Sequence, residues 1–211
     1  MAKLLAAAAA VLLLLVPAAG AAPAPPFSSS VALVTAEDLR YSWRPGCPVG
    51  PTRLRAVRLR HWDFRGRSRV GVLVVDAAET GHVVSVFRRL YAARFPVRRM
   101  LGVEVYRGSD DRSMRADNTS AFNCRFVGGT RSWSEHAYGK AIDLNPVENP
   151  YVHGGLVEPP AGRAYLDRSS GRAGMATRSS VVVRAFDSVG WHWGGRWRSS
   201  KDYQHFSTNG R

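Results

Sequence analysis

From residue 52 onwards the apolar and polar positions follow two different periods. Arg53-Leu54-Arg55-Ala56-Val57-Arg58-Leu59-Arg60 alternates basic with apolar side chains. A period of two predicts a half-exposed strand, here over Thr52–Trp62. Arg69–Val75 reads as a second, more buried strand, and Arg65-Gly66-Arg67-Ser68 between them predicts a hairpin turn. Val83, Val84, Phe87, Leu90, Tyr91 and Phe95 recur at helical spacing, which predicts a helix over Glu79–Phe95 ended by Pro96. Leu101–Tyr106 predicts a short strand. Ser179–Val189 predicts a second helix, with a serine cap, Val182, Phe186 and Val189 inward, and Gly190 as its stop. Trp191–Trp193 then begins the strand that leads to Asp202 and His205. Between residues 145 and 178, repeated Pro and Gly break every period and predict a long irregular excursion; loops of that length are uncommon unless functional. The pattern as a whole predicts an α+β class, a single domain with a small central antiparallel sheet and flanking helices.

The first forty residues read differently. Lys3 is followed by a continuously apolar run, Leu4–Val16, then Pro17 and the small residues Ala19-Gly20-Ala21. This predicts a signal peptide over residues 1–21, too short for an ordinary membrane span and without a stop-transfer pattern. The Pro- and Ser-rich stretch at 22–40 reads as a leader, flexible or polyproline-like at its start, to a domain at 41–211. The expected location is therefore secreted. Export changes how Cys47 and Cys124 read: the two lie 124 − 47 = 77 apart, and an isolated pair in an oxidising compartment is most simply one disulfide.

Composition agrees with one folded enzyme domain. Of 211 residues 45% are hydrophobic, with 6 Trp, so the chain can bury a core. Most tryptophans are expected in that core, with one or two walling a cleft. The formal net charge is +14, or +13 once Lys3 leaves with the leader. Such a chain is drawn to polyanions. No nucleic-acid-binding motif accompanies the arginines, so anionic wall polymers are the expected partner, and the protein is expected to be a monomer.

The chemistry lies in Ser134-Glu135-His136-Ala137-Tyr138-Gly139-Lys140-Ala141-Ile142-Asp143-Leu144, answered by Asp202-Tyr203-Gln204-His205-Phe206. Together these supply two imidazoles and two carboxylates, enough for a three-ligand catalytic zinc site with one carboxylate left as a base. His136 and Asp143 are 143 − 136 = 7 apart, with Gly139 available for a turn and Ala141-Ile142-Leu144 reading as a short buried strand that carries Asp143. Asp202 and His205 are 205 − 202 = 3 apart, so both face one point only across a tight turn or bulge.

The pattern Ser-x-His-x-x-Gly-x-Ala-x-Asp followed by Asp-x-x-His resembles the peptidoglycan metallopeptidases: the zinc D-alanyl-D-alanine carboxypeptidases and dipeptidases, and the L-alanyl-D-glutamate endopeptidases of phage endolysins. The same fold occurs in hedgehog signalling domains. The resemblance spans roughly residues 100–206. It includes Asp117–Arg125, Asn145-Pro146 through Asn149-Pro150-Tyr151, and Gly190–Gly195. It implies a zinc cleft beside the long loop, with one Zn2+ held by His136, Asp143 and His205. It also implies Asp202 as catalytic base and Arg125 beside the oxyanion, Arg115 being the lesser candidate. The implied substrate is a peptidoglycan stem peptide, cut as a carboxypeptidase or an endopeptidase, which places the secreted protein at a bacterial cell wall. Many relatives carry glutamate where Asp202 stands, so the bond cleaved stays open. The competing classes are a zinc-binding but inactive wall domain and a basic polyanion-binding protein.

Overall fold

The computed structural model describes residues 24–211. The expected signal peptide at 1–21 lies outside the described residues.

Strands β1 (Ser29–Leu33), β2 (Leu54–Trp62) and β3 (Ser68–Asp76) form an antiparallel meander in that order. The alternation over Arg53–Arg60 is realised in part: Val57 and Leu59 are buried in the main core, Arg58 is exposed and Arg55 and Arg60 are half-buried, while Leu54, three residues before Val57, is buried on the opposite face in a second cluster. The β2–β3 turn is organised by Asp63, whose Oδ1 accepts from the N–H groups of Arg65 and Arg67, both at 2.9 Å. β1 is the first strand among the described residues. It lies inside the stretch read as a leader, where it pairs with β2, and Leu39 further along that stretch is buried. Backbone pairing with β2 orders a segment whose composition alone suggests none.

α1 (Thr80–Ala92) packs Val83, Val86, Phe87 and Leu90 against the sheet. It ends three residues before the expected Phe95, because Arg94 turns the chain at φ 52° and the Phe95 N–H returns to the Leu90 carbonyl. The strand expected over Leu101–Tyr106 is not there. β4 is Arg99–Met100, and Val103–Tyr106 is a 3-10 turn that buries Val103 and leaves Val105 exposed. Glu104 holds this turn by accepting from the N–H groups of Tyr41 and Ser42. α2 (Asp110–Arg115) leads to β5 (Asn118–Thr119), which pairs in parallel with β4.

β6 (Ala141–Asp143) follows. The excursion at 145–178 then contains a hairpin, β7 (Tyr151–His153) and β8 (Leu156–Glu158). α3 (Val181–Asp187) is capped by Ser180, one residue later than Ser179, and buries Val182 and Phe186. β9 (His192–Trp193), β10 (Lys201–Asp202) and β11 (His205–Ser207) complete the chain. β11 lies between β6 and β9, and β10 pairs with β7. Phe206 of β11 stacks on Phe186 at 4.0 Å, which ties the site-bearing sheet to the main core. Cys47 and Cys124 form the expected disulfide, beside a second cluster containing Leu39, Val49, Leu54 and Phe122.

Candidate metal centre

His136 sits on a 3-10 turn, Glu135–Tyr138, capped by the Ser134 hydroxyl, which accepts from the His136 N–H at 3.3 Å. The turn ends at Gly139 with φ 68°. A Cβ there would lie 2.6 Å from the main-chain nitrogen of Asp76, the same nitrogen that donates to the Gly139 carbonyl at 2.9 Å. Only glycine allows the turn to seat on the end of β3.

Asp143 and His205 are register partners across the antiparallel β6–β11 pair. Their side chains therefore meet although 62 residues separate them. Asp202 closes β10 and His205 opens β11, with a bend between them, as the expected tight turn requires. Gly194 lies beneath this bend, where a Cβ would come within 2.7 Å of the Asp202 carbonyl oxygen.

The three expected ligands converge. His136 Nε2 lies 3.1 Å from Asp143 Oδ2 and 3.3 Å from His205 Nδ1, and His205 Nδ1 lies 3.1 Å from Asp143 Oδ1. Tetrahedral zinc with bonds of about 2.0–2.1 Å holds its ligand atoms about 3.3 Å apart. The spacing fits that ion. The ring nitrogens turned away are also spoken for: His136 Nδ1–H donates to the Ala121 carbonyl at 2.6 Å, and His205 Nε2–H to the Arg211 main-chain oxygen at 2.7 Å. Those acceptors leave one lone pair per neutral ring, aimed at the common point. Neither acceptor was legible in the sequence, because a main-chain oxygen carries no residue-type signal.

Electrostatics follow from burial. Burial works to raise the Asp143 carboxyl, but His136 and His205 outweigh it and hold it well below the usual carboxylate range. Burial works to lower His205, yet its bond to Asp143 and the Asp143 charge push the imidazole up to about 9. Burial pushes the Asp202 carboxyl up to about 7; His205 opposes the shift and Asp143 adds to it. Asp202 Oδ1 is buried with no hydrogen-bond partner among the described residues.

The group opens into a cleft of ≈ 940 Å³ walled by Trp133, Tyr138, Tyr151 and Trp197. Two of the six tryptophans thus wall the cleft, while Trp62, Trp191 and Trp193 are buried. Arg125 lines the cleft and pairs with Asp110 at 3.0 Å, its Nε left without a partner among the described residues. Arg115 is exposed, bound to Asp111 at 2.8 Å, and does not line the cleft. Asn145 and Asn149 stay outside the metal group and anchor the long excursion: Asn149 Nδ2 donates to the carbonyls of Leu144 and Gly174. Arg98 binds both Asp117 and fully buried Glu148, closing a polar network behind the excursion.

Residues 128–208 match a family model described as D-alanyl-D-alanine carboxypeptidase. No curated protein and no solved structure matches the chain. The matched segment carries His136, Asp143, Asp202 and His205 and stops short of Arg125. It bears out the resemblance to the peptidoglycan metallopeptidases. Together with the His–Asp–His group it supports a zinc peptidase of peptidoglycan.

Proposed function

We propose that the protein hydrolyses peptide bonds of peptidoglycan stem peptides, as a carboxypeptidase or an endopeptidase, with one zinc ion per chain held by His136, Asp143 and His205. The observation that carries this reading is the convergence of three buried ligand atoms at zinc-like separations on the floor of a cleft. Zinc, when bound there, supplies Lewis acidity to the reaction. Ala121 and Arg211 orient the two imidazoles, and Asp143 bridges them. Asp202 is the general base: its carboxyl, raised to about 7 by burial, takes a proton from the attacking water and returns it to the leaving amine near neutral pH. Arg125, turned toward the cleft, stabilises the charge that develops on the carbonyl oxygen. The aromatic walls hold the peptide and exclude water. The disulfide and the apolar N-terminal run support export to the cell wall. No helix among the described residues is long and apolar enough to cross a membrane.

The test is Asp202→Ala, assayed for zinc content and for products by mass spectrometry of digested muropeptides. We expect zinc retained and turnover down by on the order of a hundredfold to ten-thousandfold. Near-parental turnover would make Asp202 structural; loss of zinc would make it a ligand.

A further inference from the structure

We propose that Gln204 is a specificity-determining contact, its carboxamide oxygen accepting a hydrogen bond from a backbone N–H of the bound peptide. The inference rests on reading the cleft as a peptide-cleaving site. Gln204 lies between Asp202 and His205 and lines the same cleft, yet it is 2% exposed. Its main-chain oxygen accepts from the N–H of Leu144, the residue that follows β6, at 2.9 Å, so the residue is anchored beside that strand. The amide nitrogen meets only Met114 Sδ at 3.5 Å, a weak acceptor. Oε1 has no partner among the described residues.

Burying an unpartnered polar atom is costly, and an apolar side chain would pack on Met114 without that cost. Gln204 is not isolated in this respect. Six buried side-chain atoms lack a partner among the described residues, and three of them, Arg125 Nε, Asp202 Oδ1 and Gln204 Oε1, belong to residues that line this cleft. They comprise one donor and two acceptors. A peptide unit offers one carbonyl and one N–H. The carbonyl suits Arg125, the water proton suits Asp202, and an N–H is the complement left for Gln204.

The experiment compares the parental protein with Gln204→Met, which keeps length and removes the amide. Both are titrated by calorimetry with a stem-peptide analogue whose target bond is reduced and uncleavable, and both are assayed for zinc and for hydrolysis of the intact stem peptide. We expect Gln204→Met to keep its zinc and its kcat, while binding of the analogue weakens and KM rises about tenfold. A series of depsipeptides, each with one uncut amide replaced by an ester, identifies the N–H. The parental protein should lose about tenfold at one position, and Gln204→Met should lose nothing further there. Equal binding by the two proteins overturns the assignment, as does a parental protein insensitive to every ester, a result independent of how the variant folds. Parental protein that binds the analogue with this dependence but never cleaves the stem peptide leaves the contact standing and sinks the proposed function. Failure to bind the analogue at all sinks both.

Discussion

β2 and β3 run for nine residues each and bury a face by alternation, whereas the strands carrying Asp143 and His205 are three residues each. In the first region many side chains share the work: Val57, Leu59, Leu73, Phe87 and Leu90 all pack in one cluster. In the second, single contacts decide. Gly139 seats one turn, one register pair joins Asp143 to His205, and one carbonyl orients each imidazole. The sheet end is a scaffold with redundancy. The His–Asp–His end is a polar constellation with almost none, and its sheet is tied to the scaffold through Phe206 stacked on Phe186.

The largest effect should come from the His–Asp–His end. His205→Ala removes one of the three proposed ligands, and zinc measured by atomic absorption after dialysis should fall from one ion per chain to near none, with far-ultraviolet circular dichroism unchanged. A retained ion would mean the constellation is more redundant than its geometry implies. The converse break lies in the scaffold. Phe87, 1% exposed, should cost about 3–5 kcal/mol of stability as Phe87→Ala in urea denaturation. Zinc content per folded molecule should not change.

The disulfide sharpens the comparison, since it links Cys47 to the stretch just before His136. Replacing both cysteines with alanine should cost about 4 kcal/mol by the chain-entropy account, read from the same denaturation curves. The smallest effect concerns Glu148. Burial, with the Asp117 charge adding, pushes its carboxyl up to about 7 from the ordinary 4.5. A raised carboxyl contributes stability that is present below pH 4.5 and lost as pH rises through 7. Stability relative to Glu148→Gln should therefore fall between pH 4.5 and 7, and a parallel pair of pH profiles would refute this.

How much could be read beforehand follows the same division. The alternation at Arg53–Arg60 and the helical spacing from Val83 to Leu90 are periodic, so β2, β3 and α1 were legible. Their ends were less so, because Arg94 stops α1 by a backbone conformation that no periodicity encodes. The apparent strand at Leu101–Tyr106 failed because Glu104 draws that segment into a turn against Tyr41 and Ser42. β1 was hidden in Pro- and Ser-rich surroundings, since edge pairing depends on a neighbouring strand and little on its own residues. Residue types exposed the four groups of the proposed site, but Gln204 and the two main-chain acceptors had no such mark.

The sequence by itself determined which chemistry is available: two imidazoles and two carboxylates at spacings that allow convergence, a single cysteine pair, and a strongly basic surface. Those are properties of residue type and local spacing. Tertiary structure decided which nitrogen of each histidine faces the common point, that Arg125 and not Arg115 reaches the cleft, and that Asp202 and Gln204 are buried with unspent polar atoms. These depend on register between strands distant in the chain and on what surrounds a side chain on every side. Burial and register are sums over the whole fold, and no local pattern contains them.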